Sequence, residues 1–294
     1  TNVLKPLITA VTHVGLDHMD QLGDTIEKIA FEKAGIFKKN VPVVVGPMPQ
    51  AARDILVREA QRRHAPFWKP GTDLRREKRK SGWALSTPDG TLIDVALQLQ
   101  GDHQGANASV ALGILHLLRR QGFLIPDDAI RQGLSEAFIP GRLETLLPGL
   151  VIDGAHNVDG TKSLAGWLRS RPRPKNRILL WGMGHGRDPI ANISPLLPYV
   201  DEVVTTRCAH PKAFDPVDLA LHLQDLEVVL SAGGDIDETL AEVYAEADET
   251  IVAGSLFLAG AARSLVASGA LAGITPGQGP YEEVEMLDIE EETT

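Results

Sequence analysis

Lys33 falls on the stripe Ile26, Ile29, Ala30, Lys33, spaced i, i+3, i+4 and i+7, which is the apolar side of a helix. A lysine held there has its ammonium disfavoured and its neutral, nucleophilic amine made accessible. The other reading is that Lys33, near the helix end, snorkels to solvent and complements the helix dipole. Asp153 and His156 stand three apart in Asp153-Gly154-Ala155-His156-Asn157, where Asn157 reads as a cap for the helix that follows. On a loop at a strand's carboxyl end, a carboxylate and an imidazole so spaced can meet one ligand together. Arg142, in Pro140-Gly141-Arg142-Leu143-Glu144, carries a planar guanidinium that can pair bidentately with phosphate oxygens, or it is a surface charge at a linker.

The elements that must position these residues alternate between strand and helix. Residues 7–11 read as a strand, so Gly15 to His18 form the loop at its carboxyl end, where ligands sit in an open α/β sheet. A helix is predicted to start at Asp24, with Glu27 reaching back as in a capping box. Residues 41–45 read as a second strand and 50–63 as an amphipathic helix with Ile55 and Leu56 inward. The basic run Arg75, Arg76, Lys78, Arg79, Lys80 precedes two strands joined through Pro88-Asp89-Gly90. It is read as a solvated hairpin edge, not as a nucleic-acid contact. A helix from Gly101 to about Arg120 is predicted to be capped by Asp102 and carries Asn107 on its first turns, and another spans 126–137.

At Phe138 to Glu144 the proline and glycine favour a turn, and beyond it the βα pattern restarts. Runs at 150–152, 177–181, 203–206, 228–230 and 250–253 read as strands, with helices near 160–169, 188–197, 216–223, 236–247 and 256–267. That alternation defines a doubly wound, Rossmann-like sheet. The domains expected are 1–139, a linker at 140–149, a second domain at 150–274 and an acidic tail at 275–294.

The chain of 294 residues is 43% apolar and holds one cysteine, Cys208, which excludes an internal disulfide framework and a cysteine-based zinc cluster. No apolar run reaches bilayer length and no basic-then-apolar signal opens the chain, so a cytoplasmic protein without membrane contact is expected. The formal charge is −10. Seven acids and no base lie between Tyr281 and Thr294, leaving 32 acids against 29 bases in the body. The body is close to neutral, and the tail is of a composition that is solvated rather than packed.

The loop Gly15-Leu16-Asp17-His18, the segment Glu32-Lys33-Ala34-Gly35-Ile36, the motif Gly101-Asp102-His103-Gln104-Gly105-Ala106-Asn107, the Pro140 to Glu144 turn and the Asp153 to Asn157 loop follow one another in order. Together they resemble the folylpolyglutamate synthase/dihydrofolate synthase family of the Mur ligase superfamily. The resemblance implies the remainder of a central ATPase domain followed by a Rossmann-like C-terminal domain. It also implies that a segment carrying a phosphate loop and a magnesium-binding glutamate precedes Thr1.

By the same resemblance Lys33 is carbamylated and, with His18, binds Mg²⁺, a hard cation that takes oxygen ligands. Asn107, Arg142, Asp153 and His156 are implied to bind ATP. Arg187, Lys212 and Ser255 are weaker assignments to substrate, and Ser255 reads equally as a helix cap. The implied reaction adds L-glutamate to a folate or dihydropteroate by way of an acyl phosphate, in a monomer. Two alternatives stay open: a noncatalytic or truncated binding module, and a Mur-type ligase of cell-wall peptide. The segment Gly160-Thr161-Lys162-Ser163 is rejected as a phosphate loop, because its glycine spacing is too long and a threonine intrudes, and Gly182 to Asp188 as a dinucleotide fingerprint, because it lacks the final glycine.

Overall fold

The computed structural model describes residues 2–16 and 22–277. They form two compact units, Thr1–Arg142 with Asn157–Trp167, and Leu143–His156 with Leu168–Thr294.

In the first unit, β1 (Thr9–Val11), β2 (Val43–Val45) and β3 (Phe67–Trp68) make a parallel sheet in that order. The strand of three valines is buried throughout, as a parallel strand covered on both faces must be. Val43 and Val45 pack with Ile29 and Ala30 of α1 (Ile26–Ala34) and Leu56 of α2 (Gln50–Arg62). Val44 faces the other way, onto Leu74 and onto Val110 and Leu117 of α3 (Asp102–Arg120).

A second, antiparallel sheet has the order β4 (Arg75–Arg79), β5 (Gly82–Ser86), β6 (Leu92–Val95). Its apolar face, Leu85, Ile93 and Val95, packs on Ala108 and Leu112 of α3 and Ile130 of α4 (Asp127–Glu136). The basic run is β4 itself, exposed along its length at the sheet edge. Lys78 pairs with Asp102 and Arg79 with Asp94. Charge along an edge resists the addition of a further strand. Gly105 lets α3 close on this sheet, because a Cβ there would lie 2.5 Å from the Trp83 ring.

The second unit holds one six-stranded sheet. Its order is β11 (Val229–Asp235), β10 (Glu202–Arg207), β9 (Arg177–Trp181), β12 (Glu249–Ala253), β8 (Leu150–Ile152), β7 (Glu144–Leu147). All neighbours are parallel except β7, which runs antiparallel to β8. Leu150, Ile152, Ile178, Leu180 and Val252 form the core with Leu240 and Tyr244 of α8 (Ile236–Glu246) and Leu258 of α9 (Leu256–Ala267). At the start of β9, Arg177 is 1% exposed and donates from Nε to Glu249 on β12 at 2.5 Å. Helix α5 (Val158–Arg169) follows β8, and its residues up to Trp167 group with the first unit. Helices α6 (Pro189–Ile193) and α7 (Pro216–Leu223) follow β9 and β10.

Three local expectations change. Thr25, not Asp24, caps α1: its extended backbone precedes Ile26 and its hydroxyl accepts from the Lys28 N–H, while Asp24 pairs with the Lys28 ammonium. Asp102 is the first residue of α3 and not its cap, and its carboxylate is turned to Lys78. The helix expected over 188–197 is only five residues long, because Pro195 lacks the N–H that would continue it.

Candidate active site

In the first unit, the loops leaving β1 and β2 lie side by side, with the Gly46 N–H donating to the Val11 carbonyl at 3.0 Å. A Cβ on Gly46 would meet the Thr12 carbonyl oxygen, so this approach requires glycine. His13 spans the gap: Nδ1 lies 2.9 Å from the Pro47 carbonyl oxygen and Nε2 3.3 Å from Oδ2 of Asp159, in the first turn of α5. The Asp159 hydrogen bond is the main reason that protonation of His13 is favoured above its ordinary range. Burial opposes it, the Pro47 carbonyl and the Asp159 charge assist it, and the charge of Lys33 opposes it.

Lys33 occupies the last turn of α1, half-buried, beside buried Ile29, Ala30 and Ala34. Thr25 sets where this helix begins, and so places Lys33 in its last turn. Among the described residues no group of three or more His, Cys, Asp or Glu could hold a metal ion. A carbamylated Lys33 would offer the oxygen donors that a hard cation takes. A half-buried amine with no ion-pair partner among the described residues fits that state. His18 lies outside the described residues.

Asn107 is exposed in the first turns of α3, and its amide donates to the buried Gln104 at 3.0 Å. Arg142 is half-buried and makes a weak contact with the Gly141 carbonyl at 3.5 Å.

In the second unit the loops after β8, β12, β9 and β10 emerge from neighbouring parallel strands, so His156, Ser255, Arg187 and Lys212 all lie at one end of the sheet. Asp153 ends β8, 8% exposed; Oδ2 accepts from the Leu143 N–H at 2.9 Å and Oδ1 from the Ala155 N–H at 2.8 Å. His156 holds its ring by Nδ1–H to the Gly154 carbonyl at 2.7 Å, since a carbonyl can only accept. Asn157 caps α5, accepting from the Gly160 N–H at 2.8 Å, as its sequence position predicts.

The other loops are tied together by their backbones. Gly254 N–H reaches the Ala155 carbonyl and His185 N–H the Lys212 carbonyl, at 2.8 and 2.9 Å. Ser255 accepts from the Phe257 N–H at 3.1 Å and so caps α9. The exposed Phe257 stacks on His210 at 4.1 Å. His13, Asp159, Leu143, His210 and Phe257 carried no spacing signal of their own in the sequence, although Leu143 lies inside the Pro140 to Glu144 turn.

A Mur ligase middle domain matches residues 1–115, and a dihydrofolate synthetase C-terminal domain matches residues 147–265. The dihydrofolate synthase/folylpolyglutamate synthase of Escherichia coli is 30% identical over 87% of the chain and 59% of its own length. That of Bacillus subtilis is 37% identical over 58% of the chain and 42% of its length. Among solved structures, Escherichia coli FolC in complex with DHPP and ADP superposes with a TM-score of 0.81 at 26% identity, covering 91% of this chain and 63% of that one. Mycobacterium tuberculosis folylpolyglutamate synthase complexed with ADP and AMPPCP gives 0.80 at 28%, covering 94% and 66%. The chain thus spans roughly 40 to 60% of the two curated relatives.

A Mur ligase middle domain followed by a C-terminal α/β domain of this kind defines a Mur-ligase-type protein. Over both matched domains the chain is similar to the dihydrofolate synthase/folylpolyglutamate synthases.

Proposed function

We propose that the protein carrying this chain is an ATP- and Mg²⁺-dependent ligase that joins L-glutamate to a folate-type carboxylate, as folylpolyglutamate synthase with or without dihydrofolate synthase activity. One observation carries the reading: two family domains in order, on a fold shared with nucleotide-bound synthases. No described helix is long and apolar enough to cross a membrane, and the proposal places a monomer in the cytoplasm. The division into domains at 140–149 belongs to the same proposal.

The chemistry follows from a poor electrophile. A carboxylate must be activated before an amine can displace oxygen from it, and phosphate is the leaving group at hand. The substrate carboxylate attacks the γ-phosphorus of ATP and releases ADP. The glutamate amine then adds to the acyl carbon of the acyl phosphate, and the tetrahedral adduct expels phosphate. Bound Mg²⁺ would neutralise charge on the phosphoryl oxygens.

Lys33 reaches its ligand form when its neutral amine attacks the carbon of CO₂ and gives up a proton to solvent. His18 is the proposed second ligand from this chain. Asn107, Arg142 and His156 are assigned to the nucleotide. Asp153 is assigned to it through the turn it holds, because both its oxygens already accept from backbone. Arg187, Lys212 and Ser255, at the sheet end, are assigned to the anionic groups of the substrates.

The test is incorporation of labelled glutamate into dihydropteroate or tetrahydrofolate with ATP and Mg²⁺, by wild type and by Lys33→Ala with and without a small carboxylic acid. ATP-dependent product from the wild type, lost in Lys33→Ala and partly restored by the acid, is expected. Absence of ATP-dependent product from the wild type, or normal turnover by the variant, would overturn the reading.

A further inference from the structure

An exposed asparagine amide turns about its own axis, and its oxygen and nitrogen exchange places when it does. On Asn107 one contact removes that freedom: Nδ2–H donates to Oε1 of Gln104 at 3.0 Å. Gln104 is 5% exposed and stands one turn earlier on α3, and an amide oxygen can only accept. The nitrogen of the Asn107 amide is thereby turned to Gln104 and Oδ1 is turned away from it. The amide still has Oδ1 and a second N–H to offer, an acceptor and a donor side by side.

Gln104 depends in turn on the start of the helix, where its backbone N–H donates to the Gly101 carbonyl at 3.0 Å. Gly101 is the N-cap, at φ 94°, and supplies no side-chain acceptor of the kind that Ser, Thr, Asp or Asn would. The residue before it is held instead. The Trp167 indole donates from Nε1 to Oε1 of Gln100 at 2.8 Å, across 67 positions of chain. Trp167 is 7% exposed near the end of α5, and the N–H of a buried indole must be placed on an acceptor. Asp159, in the first turn of α5, meets His13, so this helix is tied to the first unit near both of its ends.

We propose that Gln104 and Trp167 are positioning residues for nucleotide recognition: Gln104 fixes which atom of the Asn107 amide meets the nucleotide, and Trp167, through Gln100 and Gly101, fixes the turn on which both residues stand. This rests on the assignment of Asn107 in the proposed function and goes beyond it by naming what orients that amide. The orientation has a consequence for specificity. An acceptor beside a donor matches an edge of adenine, whose amine donates and whose ring nitrogen accepts. Guanine presents two acceptors on that edge, one of which would face Oδ1. Relief would need the amide to turn, and the bond to Gln104 opposes the turn.

The test compares kinetics with ATP and with GTP, and reads the Kd for ADP by calorimetry, which needs no turnover. Gln104→Leu, which keeps the bulk and loses the acceptor, should raise the KM for ATP by about threefold to tenfold with kcat little changed. Its preference for ATP over GTP in kcat/KM should fall by at least about threefold. Gln104→Glu, which keeps an acceptor, should stay within about twofold of wild type. Trp167→Phe, which removes one N–H and keeps an aromatic ring, should raise the KM for ATP about threefold. In an Asn107→Ala background neither change should weaken nucleotide binding further, since both act through that amide. A wild-type KM and Kd in Asn107→Ala, or a wild type that binds no ADP, would remove the Asn107 assignment and the inference with it. Weakened binding in Asn107→Ala beside unchanged KM, Kd and ATP preference in Gln104→Leu, or unchanged KM and Kd in Trp167→Phe, would overturn the inference and leave the assignment intact. Losses that add to those of Asn107→Ala would mean a general loosening of α3 and would also count against it. Melting temperatures identify a variant that fails to fold, and if Gln104→Leu is one, Trp167→Phe decides by the same comparisons.

Discussion

Oδ2 of Asp153 accepts from the backbone N–H of Leu143 at 2.9 Å, and Leu143 sits in the left-handed region at φ 46°. A bulky residue there is disfavoured by about 1–2 kcal/mol, so something must hold it. Its side chain is 4% exposed, and its N–H is bound by a buried carboxylate that also binds the Ala155 N–H. Asp153→Ala should therefore destabilise the protein by about 2–3 kcal/mol, the range for hydrogen bonds to a charged acceptor. Asp153→Asn, which keeps one acceptor, should lose less. Urea unfolding of the two variants measures both.

Arg142 precedes that turn in the chain and makes a weak backbone contact at 3.5 Å. Arg142→Ala should raise the KM for ATP about tenfold, a loss of about 1.4 kcal/mol of binding, with an unchanged melting temperature. Unaltered ATP kinetics would remove Arg142 from the nucleotide site.

Arg177 and Glu249 form a buried pair across β9 and β12, and Arg171 also reaches Glu249 at 2.8 Å. Arg177→Ala leaves the Glu249 carboxylate with the more exposed Arg171 alone. The expected destabilisation is about 3–5 kcal/mol, read by guanidinium unfolding. A loss below 1 kcal/mol would show that water replaces the guanidinium freely.

Glu59, on α2, has a side chain only 6% exposed and binds Arg62 and Arg63 at 2.6 and 2.5 Å. The hydrogen bond from Arg63 holds its carboxyl below the ordinary value of 4.5, against the opposing effect of burial. A depressed pKa gives stability that is present above 4.5 and lost as pH falls through the folded value. Glu59→Gln should lower stability at pH 7 by about 1.5 kcal/mol, the low end for charged hydrogen bonds because Arg62 is largely exposed. The difference from wild type should narrow below pH 4, which thermal melts across pH 3–7 would follow.

Periodicity carried much of the fold to the surface of the sequence. The valine run at β2, the strands of the Rossmann-like sheet and the cap at Asn157 follow from burial on two faces and from a side chain that accepts from a free N–H. The cap at Thr25 was hidden because Asp24, one residue earlier, satisfies the same chemical rule; the backbone turn decides between them. The antiparallel β7 was hidden because four residues after a proline and glycine turn carry no period of their own.

The motif residues could be singled out from the sequence, whereas their hydrogen-bond partners could not. Asp153 reads as a ligand-facing carboxylate until its two backbone donors are placed, and one of them, on Leu143, comes from ten residues upstream. The His13–Asp159 contact joins residues 146 positions apart, a separation at which spacing within a single chain carries no signal.

The grouping of residues 157–167 with the first unit has a consequence for synthesis. Domains are generally finished in the order in which they leave the ribosome. Here the N-terminal unit lacks a helix until β7 and β8, which belong to the other unit, have already been made. Its nascent form must wait, incomplete, for chain that follows the start of its neighbour, so a pause placed between residues 142 and 167 would lengthen that exposure and a pause after 167 would not.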